Sequence, residues 1–304
     1  MSRKSAVLLL AAAVLGDVAF ATPRSAQQGP PPELRTENVA DGIYVLVGMG
    51  GNIGVSTGED AVFLVDDQYA PATEQIRQAV AAIGKGDIRF ILNTHWHGDH
   101  TGGNENFGKA GALIVAHDNV RRRMSAEQFL AAFNQKVPPS PKAALPIVTF
   151  SSDVTFHLNG DEIRAMHVAP AHTDGDSIVR FTKANVVHTG DLFFNGLYPF
   201  IDVSTGGSIT GMIAAADQML GMIDQNTRII PGHGPLADRA ALQRYRDMLI
   251  GVRDSVAPLV QSGRTIEQVI AANPTAKWDA QWGQGFLKPE AFVRIVYESL
   301  RENR

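Results

Sequence analysis

Thr94-His95-Trp96-His97-Gly98-Asp99-His100-Thr101-Gly102-Gly103 sets four metal-capable side chains within six residues. One residue, Asn93, separates it from Ile88-Arg89-Phe90-Ile91-Leu92, a β-branched and aromatic run that reads as a buried strand. A glycine-punctuated loop leaving a strand turns several imidazoles toward one point, which no regular helix or strand does at this spacing. Imidazole and carboxylate without thiolate are ligands for zinc or iron. Lone histidines are usually packed or solvated; three with an aspartate at this spacing are not accidental.

Three further segments add to this site: His172-Thr173-Asp174-Gly175-Asp176, His188-Thr189-Gly190-Asp191 and Pro231-Gly232-His233-Gly234-Pro235. Each follows an apolar stretch, at 163–168, 186–187 and 229–230, and loops at the ends of buried strands are where rigid scaffolds present chemistry. In this order and register the segments resemble the metallo-β-lactamase superfamily over roughly residues 37–250. That resemblance implies an α/β chain folded as a single-domain, four-layer αββα sandwich with a dinuclear metal site on one edge. It gives His95, His97 and His172 to a first metal, Asp99, His100 and His233 to a second, and makes Asp191 the bridging carboxylate. Two zinc ions per chain are expected, about 3.5–4 Å apart and sharing a nucleophilic hydroxide; iron and manganese are compatible with the donors. Asp99 doubles as the catalytic group that holds the hydroxide and takes up its proton. Asp66, at the end of a strand, matches an aspartate that orients a ligand imidazole.

The implied reaction is hydrolysis of an ester, thioester, lactone or amide. One group of zinc β-lactamases has cysteine where Asp191 stands and a lysine three residues on; here the chain has no cysteine and Phe194 at that place. The other large group shares the His-x-His-x-Asp-His loop but lacks the bridging aspartate. The ligand set is therefore more similar to glyoxalase II and lactonase relatives. The alternatives are a periplasmic metallo-β-lactamase, with strong or weak activity, and a mononuclear iron persulfide dioxygenase, which shares the loop but oxidises sulfur. A non-catalytic protein on this fold normally shows lost ligands, and none is missing here. Substrate-contact candidates are Met49 in the turn Gly48-Met49-Gly50-Gly51, and Asn195, Tyr198 and Phe200 after Asp191. Each has a purely structural reading beside it.

The 304 residues suffice for one large core. A formal net charge of −4 and the lack of a basic stripe argue against nucleic acid as a partner and leave a small-molecule substrate. Arg121-Arg122-Arg123, the one basic run, reads as a solvated helix face. Arg3 and Lys4 before an apolar run at 6–15, with Ala19-Phe20-Ala21 behind it, read as a signal peptide over 1–21. Its removal leaves no stable membrane insertion and places the protein in the periplasm or outside the cell. A polar, proline-rich disordered spacer follows over 22–36. Strands are expected at 43–47, 53–57, 61–66 and 112–116, and helices at 72–83, 208–223 and 237–249. Residues 118–135 read as one or two helices within a segment (117–146) that is a lid or a passive excursion. A helical extension over 251–304 packs on the same domain, with Trp278, Trp282, Phe286, Phe292 and Tyr297 in the core. Oligomeric state is left open.

Overall fold

The computed structural model describes residues 33–84 and 86–302, so the signal-peptide reading and most of the spacer lie outside the described residues. An antiparallel meander opens the chain: β1 (Arg35–Ala40), β2 (Ile43–Val47), β3 (Ile53–Ser56) and β4 (Val62–Val65). The spacer expected to run to residue 36 ends earlier, because Arg35 and Thr36 already pair with Val47 and Leu46. Helix α1 (Thr73–Ile83) carries the chain to β5 (Ile88–Asn93), which lies parallel to β4 as a helical crossover requires. The short helices α2 (Gly98–Thr101) and α3 (Asn104–Lys109) lead to β6 (Leu113–His117), also parallel.

Beyond β6 the expectation of helix through 135 fails. Helix α4 (Asp118–Met124) stops after two turns. A hairpin follows, β7 (Gln128–Leu130) and β8 (Gln135–Val137), its turn closed by Asn134 in the left-handed region at φ 49°. Asparagine tolerates that conformation, and Phe129 in β7 fits a pleated ribbon better than a helix. Strand β9 (Val148–Phe150) then completes a seven-stranded sheet in the order β1-β2-β3-β4-β5-β6-β9.

The second sheet has five strands, β10 (Asp153–Leu158), β11 (Asp161–His167), β12 (Ser177–Phe181), β13 (Val186–His188) and β14 (Arg228–Ile230). Helix α5 (Ile209–Met222) joins the last two, which are parallel. The final helices are α6 (Arg239–Gln261), α7 (Ile266–Ala271), α8 (Ala276–Trp282) and α9 (Pro289–Glu302). Asp238 caps α6, its carboxylate accepting from Ala241 N at 2.7 Å. The helix runs unbroken through residue 250, so the expected start of an extension falls inside it.

Apolar packing confirms four layers. Val45, Phe63, Leu92 and Val115 of the first sheet meet Ile163, Val179, Phe181 and Ile230 of the second in the central core. Ile76 and Val80 of α1 cover the first sheet's outer face. Met212, Leu242, Leu249, Phe292 and Val296 of α5, α6 and α9 cover the second. The mixed α/β fold is an αββα sandwich, and the loops after β5, β11, β13 and β14 bring His95 to His100, His172, Asp191 and His233 together on one edge.

Candidate metal centre

Two groups of ligand atoms converge at this edge. His95, His97, His172 and Asp191 present atoms within 4.8 Å of one another, and Asp99, His100 and His233 form a second such group. Asp191 lies between them: Oδ2 is 3.7 Å from His95 Nε2 and 3.5 Å from His172 Nε2, whereas Oδ1 is 3.1 Å from His100 Nε2 and 3.4 Å from His233 Nε2. All seven candidate ligands are thus brought together at one edge, in two groups with Asp191 facing both.

In His95, His97, His172 and His100 the opposite nitrogen of the ring is tied down, which fixes the face it presents. His95 Nδ1 lies 3.0 Å from Thr94 Oγ1, which itself donates to Asp66 Oδ2 at 2.7 Å. His97 Nε2 meets Asp202 Oδ2 at 3.1 Å, and His172 Nδ1 meets the Phe200 carbonyl at 2.8 Å. His100 Nδ1 lies 2.8 Å from Asp66 Oδ2. Donation outward leaves His95 Nε2, His97 Nδ1 and His172 Nε2 as lone pairs turned inward. His172 Nε2 and His97 Nδ1 then face each other at 2.9 Å, while His95 Nε2 is buried with no hydrogen-bond partner. Converging acceptors without donors are the donor set of a cation, so these residues fit a metal.

The electrostatics agree. Burial, reinforced by His100, pushes His95 well below the usual imidazole range, and burial brings His172 to about 4, so both stand neutral as ligands must. Burial also pushes the Asp191 carboxyl upward, but the facing His100, His233 and His95 outweigh it and hold it well below the carboxylate range. Asp99 sits at about 2 because His100 and His233 overcome its burial. Against their own burial, His100 is drawn well above its range and His233 to about 9, chiefly by Asp191. In the bare protein, protons on these two imidazoles balance the carboxylates, a charge that a divalent cation supplies instead.

Close approach dictates two glycines. A Cβ on Gly51 would fall 2.0 Å from His100 Cε1, and one on Gly232 would fall 2.1 Å from Asp191 Oδ1. Asp66, at the sequence-expected place, takes the left-handed region at φ 65° and also accepts from Thr94 N at 2.7 Å. One buried carboxylate therefore orients a ring in each group. Asp66→Ala is expected to weaken metal binding about 10–100-fold at both, checked by competition with a chromophoric chelator. A variant binding as tightly as the parent would remove Asp66 from this role.

Above the ligands lies a cavity of about 570 Å³ reached by Met49 and Phe200, as the sequence suggested. Asn195 and Tyr198 do not line it. The Asn195 amide donates to the Pro235 carbonyl at 3.0 Å and its N–H to the His233 carbonyl at 2.9 Å, bracing the His233 loop. Tyr198 is buried against Phe292, with its hydroxyl donating to Asp279 Oδ1 at 2.9 Å. Trp282, Phe292 and Tyr297 are core, as expected, and Trp278 packs beside them, but Phe286 is exposed and lines the cavity. Sequence reasoning missed Phe286, Tyr69, Asp202 and the hairpin residues Leu130, Phe133 and Val137.

The remaining histidines stay outside the cluster. His188 is buried, its ring spanning Asn52 O and Gly190 N, while His117 and His167 stack at 3.7 Å. The arginine run does not reach the cavity: Arg123 pairs with Asp174 at 2.8 Å and Arg121 donates to the Pro146 carbonyl.

The family model of the metallo-beta-lactamase superfamily matches residues 46–239, and the chain belongs to that superfamily. A metallo-beta-lactamase from Pontibacter korlensis is 18% identical, with a TM-score of 0.60 covering 71% of this chain and 99% of that one. The DIM-1 metallo-beta-lactamase is 20% identical, with a TM-score of 0.58 covering 72% and 98%. Among curated relatives, a hydroxyacylglutathione hydrolase of Nitrosococcus oceani is 29% identical over 160 residues, 52% of this chain and 53% of its own. The 2,4-dinitroanisole O-demethylase subunit alpha of a Nocardioides species is 23% identical over 202 residues, 66% of this chain and 55% of its own. The chain spans about half the length of the curated relatives it matches.

Proposed function

We propose that the chain is a dinuclear zinc hydrolase that adds water across an ester, thioester, lactone or amide carbonyl. The observation that carries this reading is the position of Asp191, one carboxylate oxygen toward each ligand group. Imidazole and carboxylate donors without thiolate suit zinc. When bound, two such cations supply Lewis acidity toward a carbonyl and make water acidic enough to be nucleophilic near neutral pH.

The residues supply the rest. His95, His97 and His172 are held by Thr94, Asp202 and the Phe200 carbonyl, so their geometry does not depend on the substrate. Asp99 is the most open carboxylate of the cluster, with Oδ2 3.3 Å from His233 Nε2 on the cavity floor. From there it accepts a proton from water and passes it to the leaving group. The leader read over 1–21 puts this reaction in the periplasm or outside the cell. No helix among the described residues is long and apolar enough to cross a membrane.

Elemental analysis of protein purified without added metal, together with a screen of esters, thioesters, lactones, amides and β-lactams, tests the proposal. About two zinc ions per chain and turnover of a carbonyl substrate are expected. A single tightly held iron, with sulfur oxidation in place of hydrolysis, would replace it with the dioxygenase reading.

A further inference from the structure

The walls of the cavity differ sharply from its floor. Among the described residues, seven large hydrophobic side chains are exposed, and four of them, Met49, Tyr69, Phe133 and Phe286, line this one cavity. They come from four separate segments of chain, and Phe200 adds a fifth. Leaving large apolar side chains in water costs about 25 cal/mol per Å², and their gathering around the ligand edge marks a surface kept for an apolar ligand.

Charge points the same way. No lysine or arginine lines the cavity among the described residues. The hairpin shows how its own lysine is kept out. Leu130 pairs with Gln135 and Gln128 with Val137, so these side chains share the face that turns Leu130, Gln135 and Val137 to the cavity. Phe129 and Lys136 take the other face, where Lys136 pairs with Glu127 at 3.1 Å. A substrate with a carboxylate remote from its carbonyl would set that charge against an apolar wall that offers no lysine or arginine.

We propose, resting on the hydrolase reading above, that the site takes an uncharged ester, thioester or lactone whose apolar chain or ring lies between Met49, Phe133, Phe200 and Phe286. The reaction needs water alone. A bond forms from the water oxygen to the carbonyl carbon, the bond from that carbon to the leaving oxygen or sulfur breaks, and the proton from water ends on the leaving group. Anionic carbonyl substrates, among them β-lactams with their carboxylate and glutathione thioesters, are poor ligands for this wall.

Binding and turnover are to be measured on separate series. Methyl ketones from hexanone to dodecanone, which cannot be hydrolysed, are titrated into the zinc-loaded protein by calorimetry. Affinity is expected to rise about three- to fourfold per methylene until the wall is filled. The same ketones carrying a carboxylate at the end of the chain remote from the carbonyl, against the wall and away from the metals, are expected to bind at least about tenfold more weakly. Phe133→Ala together with Phe286→Ala, both at exposed positions, is expected to flatten the chain-length slope, and Gln135→Lys to recover binding of the carboxylate chains. In turnover, kcat/KM for p-nitrophenyl esters is expected to climb from acetate to decanoate. Equal ketone affinities at all lengths, or tighter binding of the carboxylate chains by the parent, would overturn the proposal. Absence of turnover with a preserved ketone slope would instead remove the hydrolase reading and leave the apolar, uncharged ligand standing.

Discussion

Asp191→Ala is expected to lower hydrolytic kcat/KM on the order of a thousandfold and to strip the second metal position while leaving the first largely filled. The asymmetry follows from what remains. On one side, His95, His97 and His172 keep their inward lone pairs, each ring still fixed by Thr94, Asp202 or the Phe200 carbonyl. On the other, Asp99, His100 and His233 keep their places but lose the oxygen that sits 3.1 Å from His100 Nε2 and 3.4 Å from His233 Nε2. One of the three survivors, Asp99, is also the carboxylate assigned to proton transfer, so the second position weakens together with the proton path. Metal titration and kinetics of the variant beside its parent decide the matter. Full activity with both metals retained would show that Asp191 does not bridge.

The ligand cluster was legible in the sequence because its chemistry is local. Four of its members fall within residues 95–100, and each of the others directly follows or closely trails an apolar strand that periodicity alone identifies. The sandwich came from the resemblance, whereas composition marked individual strands such as Val62–Val65 and Ile88–Asn93 as buried. Direction was not legible. Tyr198 lies seven positions after Asp191, yet its N–H donates to the Trp282 carbonyl at 2.9 Å and the chain carries it toward α8 rather than the metals. Phe286 looks like any core aromatic until the fold places it beside His233, with ring centroids 6.5 Å apart. Asp202, which orients His97 from 105 positions away, has no local signal at all. The hairpin misread as helix shows tertiary context overriding a weak local pattern, since its strands are only three residues long.

Asp176 carries the second large effect, although it touches no metal position. It is buried at 2% exposure in the loop that presents His172. Its Oδ2 accepts from His172 N at 2.7 Å and Thr173 N at 2.8 Å, and its Oδ1 accepts from the Thr173 hydroxyl at 2.5 Å. That hydroxyl accepts in turn from Gly175 N at 3.2 Å, so a single side chain closes the whole turn. Asp176→Ala would leave two buried N–H groups and a hydroxyl without their acceptor, at about 1–3 kcal/mol for each unsatisfied group. A loss of about 3–5 kcal/mol is expected, lowering Tm by about 10 °C in a domain of this size. First-metal affinity is expected to fall with it, because the His172 backbone is no longer held. Asp176→Asn separates hydrogen bonding from charge. Burial pushes the Asp176 carboxyl up to about 7 against the bonds from Thr173 and His172, so near neutral pH the native group is already partly uncharged. An asparagine oxygen can serve the two N–H groups, and the Thr173 hydroxyl can turn to accept from its amide. The amide variant is therefore expected to lose no more than about 1–2 kcal/mol. Thermal unfolding of the metal-free forms, with metal titration of each, distinguishes the two variants. An alanine variant that melts within a degree or two of the parent and holds its first metal as tightly would show that the His172 loop is fixed by other contacts.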